Sequence, residues 1–242
     1  MAPALRTEGG SDPVRARSPD LDAVRAALAP HGLFLRGVVH FEAGDGPLLD
    51  DGRSAATVVL VGNAGGSLWP AFSRWRAGQA DGGGENPLDD WSKAVIRPVA
   101  AAAGADVWFP SDPPWQPFQR WAIRAEGLKP SPLGILIHPV YGLWHGYRAA
   151  LGFAGLVGAA TRPAGPHPCD TCAKKPCLST CPAGAVRPEG FDVAACRAHL
   201  RTPEGQAGCM QLGCLARAAC PVGADHRYPV KQLRFHMAAL SL

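Results

Sequence analysis

Apolar side chains along residues 21–160 switch repeatedly between helical and alternating spacing, and each switch marks an element. Over residues 21–33, Leu21, Val24, Ala27 and Leu28 recur at helical spacing, and the run ends near His31-Gly32. Residues 33–41 and 57–62 (TVVLVG) are dense in β-branched and large apolar side chains and predict strands. Residues 69–76 predict a helix. So do residues 87–103, where Pro87 after Asn86 suits the first helical position. A strand is predicted at 105–109 (ADVWF), a helix at 118–127 (FQRWAIRAEG) and a strand at 134–138 (GILIH), with residues 148–153 a further strand. Helices and strands in this order predict an α/β or α+β domain.

Composition narrows the setting. The 242 residues include 29 glycines and 24 prolines, so connections are many and elements short. With 47% apolar and 18% charged residues the chain is globular, and long enough for one large domain and one small. No apolar run reaches the roughly 18 residues that span a bilayer, so no membrane partner is expected. Residues 1–19 mix Arg6, Glu8, Asp12, Arg15 and Arg17 with glycines and lack an apolar stretch. They read as a disordered leader and not as a secretory signal, which predicts a cytoplasmic protein.

The chemistry is concentrated late in the chain. All eight cysteines lie between Cys169 and Cys220. Reduced cytosolic thiols argue against disulfides and leave soft-metal ligation. The first group reads Cys169-x2-Cys172-x4-Cys177-x3-Cys181-Pro182. The bacterial ferredoxin run is C-x2-C-x2-C-x3-C-P, with its fourth cysteine ligating the other cluster. Here one spacer is longer and the closing C-x3-C-P is intact. Zinc sites more often pair two C-x2-C units across a long gap and lack this proline. The second group, Cys196 with Cys209-x4-Cys214-x5-Cys220-Pro221, also ends in Cys-Pro. Two [4Fe-4S] clusters are therefore expected. By the crossed logic of a two-cluster ferredoxin, Cys169, Cys172, Cys177 and Cys220 hold one, and Cys181, Cys196, Cys209 and Cys214 the other. The stretched second spacing leaves this pairing more open than the ligand set itself. Pro166, His167, Pro168, Lys174 and Lys175 read as solvated loop, or as groups that tune potential or dock a redox partner. His199 and His226 flank the second group, and the full cysteine count leaves them no role as ligands.

Charge is uneven as well. Residues 1–160 carry 14 Lys and Arg against 15 Asp and Glu, whereas residues 161–242 carry 10 against 5. A basic lobe can bind nucleic acid. Each oxidised four-thiolate cubane, however, carries about −2, and the excess reads as counter-charge for clusters. No nucleic-acid partner is expected.

The first lobe has no G-x-G-x-x-G, no P-loop and no nucleophile elbow, and Gly65-Gly66 reads as a turn. All seven tryptophans fall there, as core or as the walls of a slot for a large flat ligand. The segment ILIHPVYGLWHGYR is less generic. It resembles the H-P-x-(F/Y)-G-x-W-x-x-x-R signature of the cobalamin-processing CblC (MMACHC) family, matched by His138, Pro139, Tyr141, Gly142, Trp144 and Arg148. TVVLVGNAGGSLWPAF and NPLDDWSKAVI resemble further segments of that family in the same order. The second lobe resembles the dicluster domain of the epoxyqueuosine reductases, which join a corrinoid-binding domain to two clusters.

These resemblances imply an α+β protein: a nitroreductase-like, CblC-like α/β domain at residues 20–160, then a small ferredoxin-like domain with two [4Fe-4S] clusters at 161–242. They imply a cobalamin or other corrinoid bound base-off, with the six signature residues lining part of the pocket. His138 is then a donor to the tail or side amides, and Arg148 a partner for an amide or phosphate oxygen. On the residues alone, His138 reads equally as a satisfied strand-end histidine and Arg148 as an ion-pair partner. The implied function is single-electron reduction of the cobalt, as an oxidoreductase of the cobalamin reductase or dealkylase type or as a trafficking factor, fed by a low-potential electron donor. The alternatives are a two-cluster electron carrier without corrinoid and a flavin-dependent reductase. Animal CblC proteins use flavin or glutathione and have no cluster domain. The acid residues and tRNA-binding motifs of the epoxyqueuosine reductases are not recognisable here. No catalytic residue is nominated.

Overall fold

The computed structural model describes residues 19–160 and 165–240. Apart from Pro19, the expected leader lies outside the described residues. Asp20 starts the fold by accepting the backbone N–H groups of Asp22 and Ala23, which caps helix α1 (Leu21–Leu28). The first lobe continues through strands β1 (Phe34–His40) and β2 (Thr57–Ala64), and then helices α2 (Trp69–Ala77) and α3 (Pro87–Ala102). Strand β3 (Asp106–Trp108), helix α4 (Phe118–Glu126), strands β4 (Lys129–Pro130) and β5 (Leu136–Ile137), and strand β6 (His145–Phe153) complete it.

Four strands form one sheet in the order β1-β2-β6-β3, with every pairing antiparallel. Every residue of β2 is buried, because helices cover both faces of the sheet. Alternation along the strand sorts its side chains. Val59 and Val61 join α1 and α3 in one core with Leu28, Trp91 and Ile96. Val58 and Leu60 join Phe118, Trp121 and Ala125 of α4 in the other. The tryptophans are mostly core: Trp91, Trp121 and Trp144 are buried.

The structure departs from two expectations here. Of the strand expected at 134–138, only Leu136–Ile137 pairs, with Lys129–Pro130, because the chain turns immediately afterwards. The strand expected at 148–153 begins three residues earlier, at His145, and occupies a central position in the sheet.

The C-terminal lobe is built of short pieces: helix α5 (Cys177–Thr180), the β7–β8 hairpin (Val186–Arg187, Gly190–Phe191), then helices α6 (Val193–Leu200), α7 (Pro203–Ala207), α8 (Cys209–Leu212), α9 (Leu215–Ala218) and α10 (Val230–Ala238). Its last helix returns to the first lobe. Phe235 of α10 lies 5.1 Å from the Phe72 ring and 5.6 Å from Trp69, and it packs against the first core. The boundary near residue 160 is thus sharper in sequence than in packing.

A buried ion pair ties β1 to α4. Arg36 Nη2 donates to Glu126 Oε2 at 2.7 Å, with 2% and 8% of the two side chains exposed. Tyr147 donates to the second oxygen of Glu126 at 3.1 Å, and the Arg36 guanidinium stacks over Tyr141 and Tyr147. Removing one partner leaves an uncompensated buried charge. Glu126→Ala is expected to lower unfolding free energy by about 3 kcal/mol, read from urea denaturation. A loss below about 1 kcal/mol would show that Arg36 finds another partner.

Candidate functional site

The cysteines gather into two groups of four, each around its own cavity. Cys169, Cys172, Cys177 and Cys220 line one, together with Pro168, Pro176, Pro221 and Val222. Cys181, Cys196, Cys209 and Cys214 line the other. Chain geometry explains the crossing. Helix α5 starts at Cys177 and hands the chain to Cys181 in the second group, while Cys220 follows α9 back to the first. Burial raises the Cys169 thiol to about 11, and Cys220, Cys177 and Cys172 add to the rise. Burial likewise raises Cys196, followed by the charges of Cys214, Cys181 and Cys209. Cys169 and Cys196 are thus each felt by the other three thiols of their own group. Among the described residues, no group of three or more Cys, His, Asp or Glu side chains is placed to hold a metal ion. Lysines flank the first group at Lys174 and Lys175, and Lys175 adopts a positive φ of 37° beside the cavity. His199 lines the second cavity beside its cysteines.

The H-P-V-Y-G segment forms the junction between the lobes. His138 and Gly142 exchange backbone hydrogen bonds of 2.8 and 2.9 Å, closing a tight turn. His138 Nδ1 accepts the N–H groups of Val140 and Tyr141, so the side chain caps the turn from within. Gly142 has φ of +57°, and a Cβ there would sit 1.9 Å from the Val222 carbonyl oxygen. Across the contact, Gly223 at φ +69° would place a Cβ 2.3 Å from the Tyr141 carbonyl carbon. Two glycines therefore let the loop after Cys220-Pro221 lie flush against this turn. Leu143 lines the first cysteine cavity, and Arg217, which stands between Cys214 and Cys220, donates to its carbonyl at 2.5 Å. The same guanidinium lies 4.2 Å over Trp144 and 4.8 Å over Tyr228, whose rings are 5.3 Å apart.

Three histidines near this junction are held neutral. Burial lowers His138 to about 4, with Arg36 and His226 adding to the effect. Burial lowers His145 to about 3, assisted by Arg36, and His236 to about 4, assisted by Arg217 and Arg148. His138 Nε2 is 3.6 Å from Glu126, within ion-pair range. Burial nevertheless keeps the imidazole uncharged, and Glu126 is neutralised by the closer Arg36. A folded-state pKa below the ordinary 6.5 means that the unfolded chain binds more protons, so stability falls as pH drops. The loss begins near pH 6.5 and continues to about pH 4 for His138 and His236 and about pH 3 for His145. Unfolding free energies from urea denaturation at constant salt are expected to fall across that window, by on the order of 1 kcal/mol per pH unit for each histidine. His145→Gln is expected to flatten the slope, and an unchanged slope would remove His145 from the account.

A polar cavity lies on the other face of the sheet, between the start of α3, strand β6 and helix α10. Its volume is about 450 Å³. Arg148, Asn63, Asp89, Tyr228, Gln232 and His236 line it, whereas no tryptophan does. Arg148 Nη1 stands 3.5 Å from Asp89, at the limit of a hydrogen bond, and Nε donates to the Tyr147 carbonyl. Gln232 is 1% exposed, and its Oε1 has no hydrogen-bond partner. Such an atom is costly to leave unmet. The six signature residues thus separate in space. Arg148 faces the cavity; His138, Pro139, Tyr141, Gly142 and Trp144 belong to the junction. Sequence reasoning missed Gln232, His236, Tyr228 and Arg217. Only Arg217, between two cysteines, carried a local signal.

No protein-family model matches the chain, and no curated protein matches it. Among solved structures, the C. elegans B12-trafficking protein CblC, a homologue of human MMACHC, superposes with a TM-score of 0.52 at 14% identity, covering 89% of each chain. The fold is therefore CblC-like, and the likeness extends beyond residues 20–160. Epoxyqueuosine reductase from Streptococcus thermophilus gives a TM-score of 0.49 at 13% identity, over 85% of this chain and 66% of that one. An epoxyqueuosine reductase in complex with an epoxyqueuosine-modified tRNA-Tyr stem loop gives 0.46 at 14% identity, over 86% and 66%.

Proposed function

We propose that this chain is an iron–sulfur oxidoreductase that binds a corrinoid beside α10 and delivers single electrons to its cobalt. The carrying observation is the short aromatic link between a cysteine quartet and the polar cavity. Leu143 belongs to the wall of the first quartet, Trp144 follows it, and Trp144 packs on Tyr228, which lines the cavity. When bound, a [4Fe-4S] cluster passes one electron at a time, the same unit by which cobalt changes oxidation state.

The residues present fit both groups. Two all-thiol quartets with apolar walls are a soft donor set suited to iron–sulfur centres. The unpartnered Gln232 oxygen, Asn63 and Arg148 offer both acceptor and donor groups to the amide side chains of a corrinoid. A corrinoid exceeds 450 Å³, so this cavity holds part of one and the remainder lies outside it. In this reading Arg148 binds an amide or phosphate oxygen, while the turn at His138–Gly142 and Trp144 set the spacing between quartet and cavity. Fold likeness to a protein described as B12-trafficking agrees with this assignment. A low-potential donor supplies the electrons.

The test is anaerobic purification with iron analysis, followed by titration of cobalamin against the visible spectrum. About eight irons per chain and a base-off shift are expected. Eight irons with no shift would leave a two-cluster electron carrier, and a co-purifying flavin would point to a flavin-dependent reductase. Arg148→Ala is expected to weaken cobalamin binding about tenfold, or about 1.4 kcal/mol, with iron content unchanged. Unaltered affinity would take Arg148 out of the site.

A further inference from the structure

The two quartets differ in what surrounds them. The first shares its cavity with Ser131, Leu133, Ile137 and Leu143 of the first lobe. The second is enclosed by residues 181–237 alone. The first therefore adjoins the first lobe, and the second is the outer of the two.

Helix α6 gives the outer quartet its exposed side. It turns Cys196, His199 and Leu200 toward the cavity. Val193, Arg197 and Arg201 recur every four residues and form a separate stripe along α6 and its C-cap. All three are exposed, Val193 by 54%. Neither arginine has an acidic partner among the described residues, whereas the nearby Arg187 is paired with Asp192 at 3.1 Å. Glu204, the acid of α7, forms no ion pair with either arginine, and Thr202 donates to the His199 carbonyl. Helix α7 packs between α6 and α8, and α8 ends in Leu212, which is 54% exposed. Unpaired cations beside an exposed aliphatic side chain suit a transient protein contact, in which charge steers the encounter and a small apolar patch seats it.

We propose that the Val193–Arg197–Arg201 stripe of α6 is the docking surface of an acidic one-electron carrier protein that loads the outer quartet. The inference rests on the two-cluster reading above. The carrier loses one electron and the outer centre gains it; no bond forms or breaks. Electrons then pass inward to the first quartet and the first lobe. A single-stranded RNA or an RNA loop would seek stacking aromatics. The one exposed aromatic among the large exposed hydrophobics is Trp115, which is in the first lobe.

The test uses the iron-loaded protein and, as probe, a reduced acidic plant-type [2Fe-2S] ferredoxin, followed anaerobically by stopped flow. At low salt, Arg197→Glu combined with Arg201→Glu is expected to slow reduction at least tenfold. Iron content and reduction by dithionite should stay at wild-type values, and added salt should slow the wild type. Equal rates in variant and wild type would overturn the proposal. So would a loss confined to Lys174→Glu with Lys175→Glu, which would move the entry point to the inner quartet. Binding of an RNA stem-loop that depends on Arg197 and Arg201, without any ferredoxin reaction, would assign the surface to nucleic acid instead. Wild-type protein without iron would overturn the two-cluster reading and this proposal with it.

Discussion

Cys220→Ser is expected to halve the iron content, from about eight to about four per chain, and to destabilise both lobes. Cys220 is the one member of its quartet drawn from the far end of the cysteine region, so it closes the cage that Cys169, Cys172 and Cys177 begin. It also precedes Pro221, Val222 and Gly223, the loop that seats against the His138–Gly142 turn. Ligand-rich lobes with little apolar core take much of their folding energy from the metal. Losing this ligand should therefore loosen the junction as well as empty the cage. Cys209→Ser supplies the comparison, because Cys209 belongs to the outer quartet, whose cavity is lined by no residue of the turn. It should remove the same amount of iron with a smaller fall in the thermal midpoint of the first lobe. Full iron in either variant would show the ligand assignment to be wrong. Equal thermal losses would separate the cage from the junction.

The second large effect is expected from Gly142→Ala. A left-handed backbone costs an alanine about 1 kcal/mol. The greater penalty is steric, since the new Cβ would stand 1.9 Å from the Val222 oxygen and 2.6 Å from its carbon. Both atoms are backbone, so no rotamer change relieves the clash. The loop carrying Cys220 has to move. A loss of more than about 4 kcal/mol is expected, at the exceptional end for a single substitution, with the lobes becoming separable by limited proteolysis. Gly134→Ala isolates the backbone contribution: Gly134 also has a positive φ, +75°, but a Cβ there would meet only Phe191 at 4.0 Å. That variant should lose about 1 kcal/mol. If the two glycine variants behave alike, the flush contact at Val222 has no energetic weight.

Much of this protein is written locally. Helical spacing from Leu21 to Leu28 and the β-branched run at residues 57–62 lead directly to α1 and β2, because periodicity is decided by near neighbours and by which face is buried. The crossed grouping of the cysteines came from the likeness to two-cluster ferredoxins and not from spacer length, since Cys177 and Cys181, with only three residues between them, line different cavities. The Cys-Pro ends then mark where the chain crosses over. The resemblance to the CblC signature anticipated a fold whose likeness covers 89% of the chain and so extends past the first lobe.

The site was less legible. His138 and Gly142 drew notice as members of a signature, yet their reason lies in Val222 and Gly223, some eighty residues on. Asn63, Arg148 and Gln232 face one cavity from three distant elements, and nothing in their neighbouring residues says so. Neither Gln232 nor the helix that carries it is singled out in the sequence. The burial of Gln232 comes from Phe235 docking on Phe72 and Trp69, a contact that turns the last helix back onto the first core.

By itself, then, the sequence determined most elements of residues 21–153 and the run of eight thiols, since each depends on residues close to one another in the chain. Only the tertiary structure decided which polar groups share the cavity, which quartet lies innermost and what the signature glycine is for. Those depend on how β6, α9 and α10 meet, and such meetings are set by the complementary burial of surfaces far apart in the chain.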